Sequence, residues 1–307
     1  MQPKEVKKPT IEELLSIIRH TSRTAWQNEL PRKNLDDWLD NFKGEVFDIE
    51  RERFIALWLL NHFTYYNHDE VTHLCKVLFS NLIHIIVTKF AGSPKSVNEI
   101  IEDFFKKTNI VPAEEVSGSS GFIAYFFRHV NQLDIDLFNF SIENVADDIE
   151  NIIVIDDVTL TAGRRGQMSR FLQTKTQLYP QKNFYLITLI SSETSIDYLA
   201  KNFNVEVITT IKLDARDKCF SEKSNIFTEF PELLEDCRLF AEHYGKKIRP
   251  KNPLGYGDGQ YAFGFFYNTP NNTLPIFWGE VNGWKPVIRR FHKNYGSKKF
   301  LKNERFI

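Results

Sequence analysis

The residues best suited to chemistry form one run at the centre of the chain. It reads Ile152-Ile153-Val154-Ile155-Asp156-Asp157-Val158-Thr159-Leu160-Thr161-Ala162-Gly163-Arg164-Arg165-Gly166. A continuous β-branched stretch predicts a strand apolar on both faces, as in a covered parallel sheet. Its end delivers two adjacent carboxylates to the carboxyl edge of that sheet, where ligands bind in open α/β folds. Asp156 and Asp157 are placed to accept hydrogen bonds from a vicinal diol, such as the 2′ and 3′ hydroxyls of ribose. The loop that follows is small and hydroxyl-rich, and a helix comes next. Backbone N–H groups of such a loop, with the helix start, make a nest for phosphate. Thr159 and Thr161 add hydroxyl donors. Ala162 and Gly163 let an anion approach the backbone, and Arg164 and Arg165 add positive charge. The plain structural alternative is an Asp-Asp pair that ends a strand and caps the next helix.

Three further stretches carry functional potential. Ser117-Gly118-Ser119-Ser120-Gly121 precedes an apolar helical pattern and offers hydroxyl and backbone donors, its plain alternative being an ordinary Ser/Gly turn. The block from 254 to 278 opens on Leu254-Gly255-Tyr256-Gly257-Asp258-Gly259 and includes Asn268-Thr269-Pro270-Asn271-Asn272-Thr273-Leu274-Pro275. Its glycines suit positive φ, and its asparagines can bond the backbone or read a ligand edge. The tail alternates Lys285, Arg289, Arg290, His292, Lys293, Lys298, Lys299, Lys302 and Arg305 with Trp284, Phe291, Tyr295 and Phe300. Basic residues interleaved with aromatics suit nucleic acid, by phosphate neutralisation and base stacking. The alternative is a basic face packed on the acidic remainder of the chain or on a partner.

The central run resembles the PRPP-binding motif of type I phosphoribosyltransferases. Asp156 and Asp157 fall on its acidic pair, and Thr161, Ala162 and Gly163 on its 5′-phosphate loop. Leu160 stands where many members carry an acidic base, and Arg164 replaces the usual terminal Thr. The Ser117 to Gly121 stretch is similar to the upstream loop that holds pyrophosphate in those enzymes. The Gly-Tyr-Gly element and the Asn-Thr-Pro-Asn-Asn run are similar to a signature of the phosphoribosyltransferase-like family of bacterial conflict systems, PRTase-CE, over roughly residues 35–290. The resemblance implies binding of PRPP or a nucleotide, with Asp156 and Asp157 as catalytic and metal-associated residues. A Mg²⁺ would then bridge the ribose hydroxyls and the pyrophosphate. It also implies a role in anti-phage defence, in some members beside a retron reverse transcriptase and a DNA-binding protein.

These residues need a frame that holds them. Thr10 and Glu13 form a capping-box pattern, and residues 49–66 and 69–90 show helical apolar spacing. Ser96 and Glu99 open another helix, to about 107. Residues 151–155, 184–190 and 205–213 read as strands, alternating with helical stretches at 167–178 and 195–203. Residues 111–130 fit an earlier strand-loop-helix. Residues 232–244 read as a helix ended by Gly245, and 261–267 as an apolar strand. The expected fold is α/β, with a mostly parallel sheet of about five strands of phosphoribosyltransferase type. A helical N-terminal region (1–106) precedes the core (107–307), whose 254–278 block is placed as a hood over the ligand.

Apolar residues make up 42% of the 307, enough for a sizeable core, and 27 phenylalanines predict an aromatic-rich one. Net charge is −1, yet the tail from Lys285 to Arg305 holds eight basic residues and one acid, leaving the remainder at about −8. No run approaches the roughly 18 apolar residues of a membrane helix, and the polar start carries no signal core. Cys75, Cys219 and Cys237 form no metal spacing and read as reduced thiols in a cytoplasmic protein. The Asn271-Asn272-Thr273 glycosylation pattern is set aside on the same ground. Three functions stand open: an enzyme acting at the anomeric carbon of a ribose phosphate, a non-catalytic nucleotide sensor, and a nucleic-acid-binding component that uses the tail.

Overall fold

The structure is a computed structural model and describes residues 7–113, 118–139, 142, 145–163 and 166–291. Its centre is a four-stranded parallel sheet in the order β2-β3-β4-β5, from β2 (Thr108–Pro112), β3 (Asn151–Thr159), β4 (Asn183–Ser192) and β5 (Val205–Leu213). Successive strand side chains leave on opposite faces. Ile153 and Ile155 therefore join one core with α4 (His68–Lys89), α5 (Val97–Lys106) and α6 (Ser119–Val130). Ile152 and Val154 join another, under α7 (Gln167–Leu178) and α8 (Glu193–Phe203). Parallel strands covered on both faces must be apolar throughout, which is why they are legible as continuous runs.

A third core lies beside the sheet. It combines α1 (Ile11–Thr24), α2 (Arg32–Leu39) and α3 (Ile49–Asn61) with α9 (Leu234–Ile248) and the short α10 (Pro275–Trp278). Trp38 is fully buried against Phe42 and Phe277 and donates its Nε1–H to the Ile276 carbonyl at 2.7 Å. Glu52 is also fully buried. It accepts the Tyr244 hydroxyl at 2.6 Å and the amides of Gly44, Val46 and Phe47 at 2.7, 2.7 and 3.3 Å. A buried charge persists only where donors replace its water, and this one fastens the 42–48 loop between α3 and α9.

Several expectations need correction. The helical pattern at 49–66 stops at Asn61, and β1 (Thr64–Tyr66) follows. β1 pairs in parallel with β6 (Phe263–Phe265), so the expected fifth strand lies in a separate two-stranded sheet. A three-residue strand has no period of its own, and its pairing partner is about two hundred residues away. Gly245 does not end α9, which runs on to Ile248. The glycine is there because a Cβ would come 2.0 Å from the Pro253 carbonyl oxygen. One described helix, α4, is long and apolar enough by composition to cross a membrane, contrary to the expectation of none. Here its Val71, Leu74, Leu78, Leu82 and Ile86 are buried in the sheet's core.

Candidate functional site

β3 does not end at the acidic pair. It continues through both aspartates to Thr159, with Asp156 beside Thr188 of β4 and Thr159 beside Ser191. The acids therefore sit on rigid strand, not on a loop. Asp157 is buried and Asp156 half-buried. Ser119, in the first turn of α6, donates to Asp157 Oδ1 at 3.2 Å. The Val158 amide donates to the same oxygen at 2.9 Å, and the Asp157 amide donates to Asp156 Oδ1 at 2.9 Å. These bonds fix the carboxylate planes before any ligand arrives.

Tyr267 is the residue that sequence reasoning missed at this end of the site. Its hydroxyl is shut from solvent beside the acids and closes no well-aligned hydrogen bond. Loss of solvent, and then the Asp157 charge, hold its pKa well above that of an ordinary tyrosine. The phenol therefore stays protonated and presents a donor to Asp157. Its ring stacks on Phe265 at 5.2 Å and packs against Phe122 at 4.6 Å. Its only sequence signal was its place at the end of an apolar run directly before Asn268.

Past Thr159 the chain turns into the expected phosphate loop. Leu160 is buried, and its carbonyl accepts from Ser192 Oγ at 3.0 Å. The Ala162 amide donates to Ser195 Oγ at 2.9 Å, so this amide is taken in the present arrangement and is not part of an open nest. Gly163 has open space where a Cβ would stand. Gly166 donates to the Gly163 carbonyl at 2.8 Å and closes the turn into α7. Arg164, Arg165 and Ser117 lie outside the described residues.

The 254–278 segment closes over this loop. Asn272 donates through Nδ2 to Thr161 Oγ1 at 3.3 Å and to the Tyr256 carbonyl at 2.9 Å. Gly257, at φ +62°, lies so close that a Cβ would reach 2.7 Å from Thr161 Cγ2. Gly255, at φ +97°, would meet the Asn272 carbonyl oxygen at 2.2 Å. The glycines thus serve two ends, left-handed backbone and close approach. Asn268 Oδ1 accepts the amides of Thr269 and Phe291, at 3.0 and 3.1 Å.

Together these elements enclose a cavity of about 360 Å³ over the carboxyl ends of the strands. Asp156, Asp157, Thr159, Thr161, Gly118 and Ser119 line it from the sheet side. Asn268, Asn271, Asn272, Tyr256, Arg290 and Phe291 line it from the C-terminal side, and Gln167, Met168 and Arg170 from α7. Ser120 and Gly121 are buried within α6, and they and the pair Ala162 and Gly163 are not among the lining residues. The Thr159 hydroxyl is buried at the wall, shut from solvent, with no hydrogen-bond partner among the described residues.

The described part of the tail is largely engaged within the chain. Lys285 pairs with Asp37 at 2.9 Å, and Arg290 lies 4.9 Å over the Trp278 ring and donates to the Thr269 carbonyl. Trp284 is half-buried against Phe42 and Tyr244. His292, Lys293, Tyr295, Lys298, Lys299, Phe300, Lys302 and Arg305 lie outside the described residues.

Comparison with known proteins matches the PRTase-CE family model over residues 35–290. No curated protein matches the chain. Among solved structures, the Helicobacter pylori xanthine-guanine-hypoxanthine phosphoribosyltransferase is 12% identical, at a TM-score of 0.29, covering 49% of this chain and 84% of that one. The orotate phosphoribosyltransferase of Aeropyrum pernix is 12% identical, at a TM-score of 0.26, covering 44% and 70%. The family match takes in the acidic pair, the loop after it and the Asn-Thr-Pro-Asn-Asn segment that meets them across the pocket, and the chain belongs to the PRTase-CE family.

Proposed function

We propose that the pocket binds the ribose phosphate of PRPP or of a nucleotide, and that the protein acts at its anomeric carbon. The observation that carries this reading is the meeting of Asp156, Asp157 and Thr161 in one cavity. Asp156 and Asp157 accept hydrogen bonds from the 2′ and 3′ hydroxyls. Ser119 and the Val158 amide hold Asp157 for that task. Thr161 and the loop after it take the 5′-phosphate, with Arg164 and Arg165 as added charge. In the reaction, the bond from C1′ to its leaving group breaks with its electron pair, and a bond from C1′ to an acceptor oxygen or nitrogen forms. Rate comes from positioning and from carboxylates that stabilise positive charge developing on the ribose ring.

The donor set fits a Mg²⁺ of limited kind. Among the described residues no group of three His, Cys, Asp or Glu side chains converges on one point. Two carboxylates alone suit a magnesium ion that keeps waters and takes its other oxygens from the ligand's phosphates. When bound, such an ion would neutralise a departing diphosphate.

A second reading is a non-catalytic nucleotide sensor. The buried Leu160 favours it, since no carboxylate stands there to act as a base. In either case family membership supports a place in cytoplasmic anti-phage defence, beside a reverse transcriptase or a DNA-binding partner in retron-associated members. The test is turnover. The purified protein with Mg²⁺ is incubated with PRPP, ATP, GTP, NAD and deoxynucleotides, beside the Asp156→Asn/Asp157→Asn variant. One substrate consumed by the wild type and untouched by the variant is the expected result. Equal turnover in both would defeat the assignment, and tight binding without product would favour the sensor.

A further inference from the structure

Resting on the ribose-phosphate reading, we propose that the ligand is a dinucleotide joined by a diphosphate, with its second base stacked on Tyr256. The pocket carries an exposed aromatic at each end of the track from acids to phosphate loop. Phe291, 52% exposed, is held through Asn268, the neighbour of the Tyr267 that abuts Asp157. Tyr256, 38% exposed, belongs to the opposite end, where Asn272 ties its carbonyl to Thr161. A ribose 5-phosphate with a single base needs only the aromatic on its anomeric side. An aromatic beside the Thr161 loop suits a ligand that continues past that phosphate.

The turn around Tyr256 is specific in construction. Its amide donates to the Asn271 carbonyl at 2.7 Å, its carbonyl is taken by Asn272, and its two glycine neighbours have positive φ in space too tight for a Cβ. This constraint fixes the backbone under a ring that is left open on the pocket wall, and an open planar face is what base stacking requires. Arg170 is exposed on the pocket wall in the first turn of α7, the helix that follows the Thr161 loop, and its guanidinium suits a second phosphate. The cavity of about 360 Å³ is sized for the ribose phosphate, with the second nucleoside lying along the open rim.

The experiment is calorimetric titration of the full chain, with Mg²⁺, using NAD, nicotinamide mononucleotide and PRPP. The variants are Tyr256→Ala and Tyr256→Phe, with folding checked by thermal melting. The expected result is that NAD binds about ten-fold tighter than the mononucleotide, the value of one stacked base. Tyr256→Ala should abolish that excess alone, and Tyr256→Phe should keep it. Equal affinity for NAD and the mononucleotide, or an excess that survives in Tyr256→Ala, overturns the dinucleotide while leaving ribose-phosphate binding intact. Binding of none of the three overturns both.

Discussion

At the scale of residues, the protein uses buried polar groups in two ways. Glu52 is fully satisfied. Burial alone would raise its pKa, but bonds from Tyr244 and then from the Val46, Gly44 and Phe47 amides outweigh that and hold it below the usual carboxylate range. A carboxylate depressed in the folded state contributes stability above its unfolded pKa and loses it as pH falls. Glu52→Gln should cost on the order of 2–3 kcal/mol near neutral pH. It should also flatten the acid limb of stability below about pH 5, read by denaturant titration across pH. A wild-type acid limb that the substitution leaves unchanged would contradict this. The pocket is the opposite case, since the buried Thr159 hydroxyl at its wall has no hydrogen-bond partner among the described residues. That Asp156, Asp157 and Thr161 come together at one pocket was legible from their place at and just after a strand end. Tyr267 was not, because an aromatic closing an apolar run reads as core.

At the scale of elements, the strands of the central sheet were readable and the short ones were not. β3 and β4 are apolar on both faces over most of their length, and β5, at the sheet's edge, is marked by its β-branched residues. β1 and β6 are three residues each and exist only because segments about two hundred residues apart meet. The 254–278 block was readable as unusual backbone, yet its target was hidden, because that target lies about a hundred residues earlier. The contact between Gly257 and Thr161 makes the coupling testable. Gly257→Ala places a Cβ against Thr161 and forces alanine to a positive φ, at a cost of about 1–2 kcal/mol for the conformation alone. Melting should fall accordingly, and affinity for a ribose phosphate should fall further than for Gly163→Ala, where a Cβ meets open space. Equal effects of the two on binding would mean the turn does not position the loop.

At the scale of the molecule, the pocket is walled by parts of the chain that belong to different cores. The acids and Thr161 come from the central sheet, while Tyr256, Asn272 and Arg290 come from the segment whose flanks pack with the N-terminal helices. No local pattern could show this, since it depends on β1 pairing with β6 and on Trp38 bonding the Ile276 carbonyl. A ligand in the pocket touches both parts, so binding should stabilise the whole fold by mass action and raise Tm with ligand concentration. The most direct test of the central claim is titration calorimetry of PRPP with Mg²⁺ into the wild type and into Asp156→Asn. Asp156 is the half-buried member of the pair, so its replacement preserves shape and removes the charge that meets the ribose diol. Saturable binding by the wild type is expected, with binding by the variant weaker by at least about ten-fold, the value of a charge-assisted hydrogen bond. Equal affinity in the two proteins would show that the acidic pair does not hold the ribose.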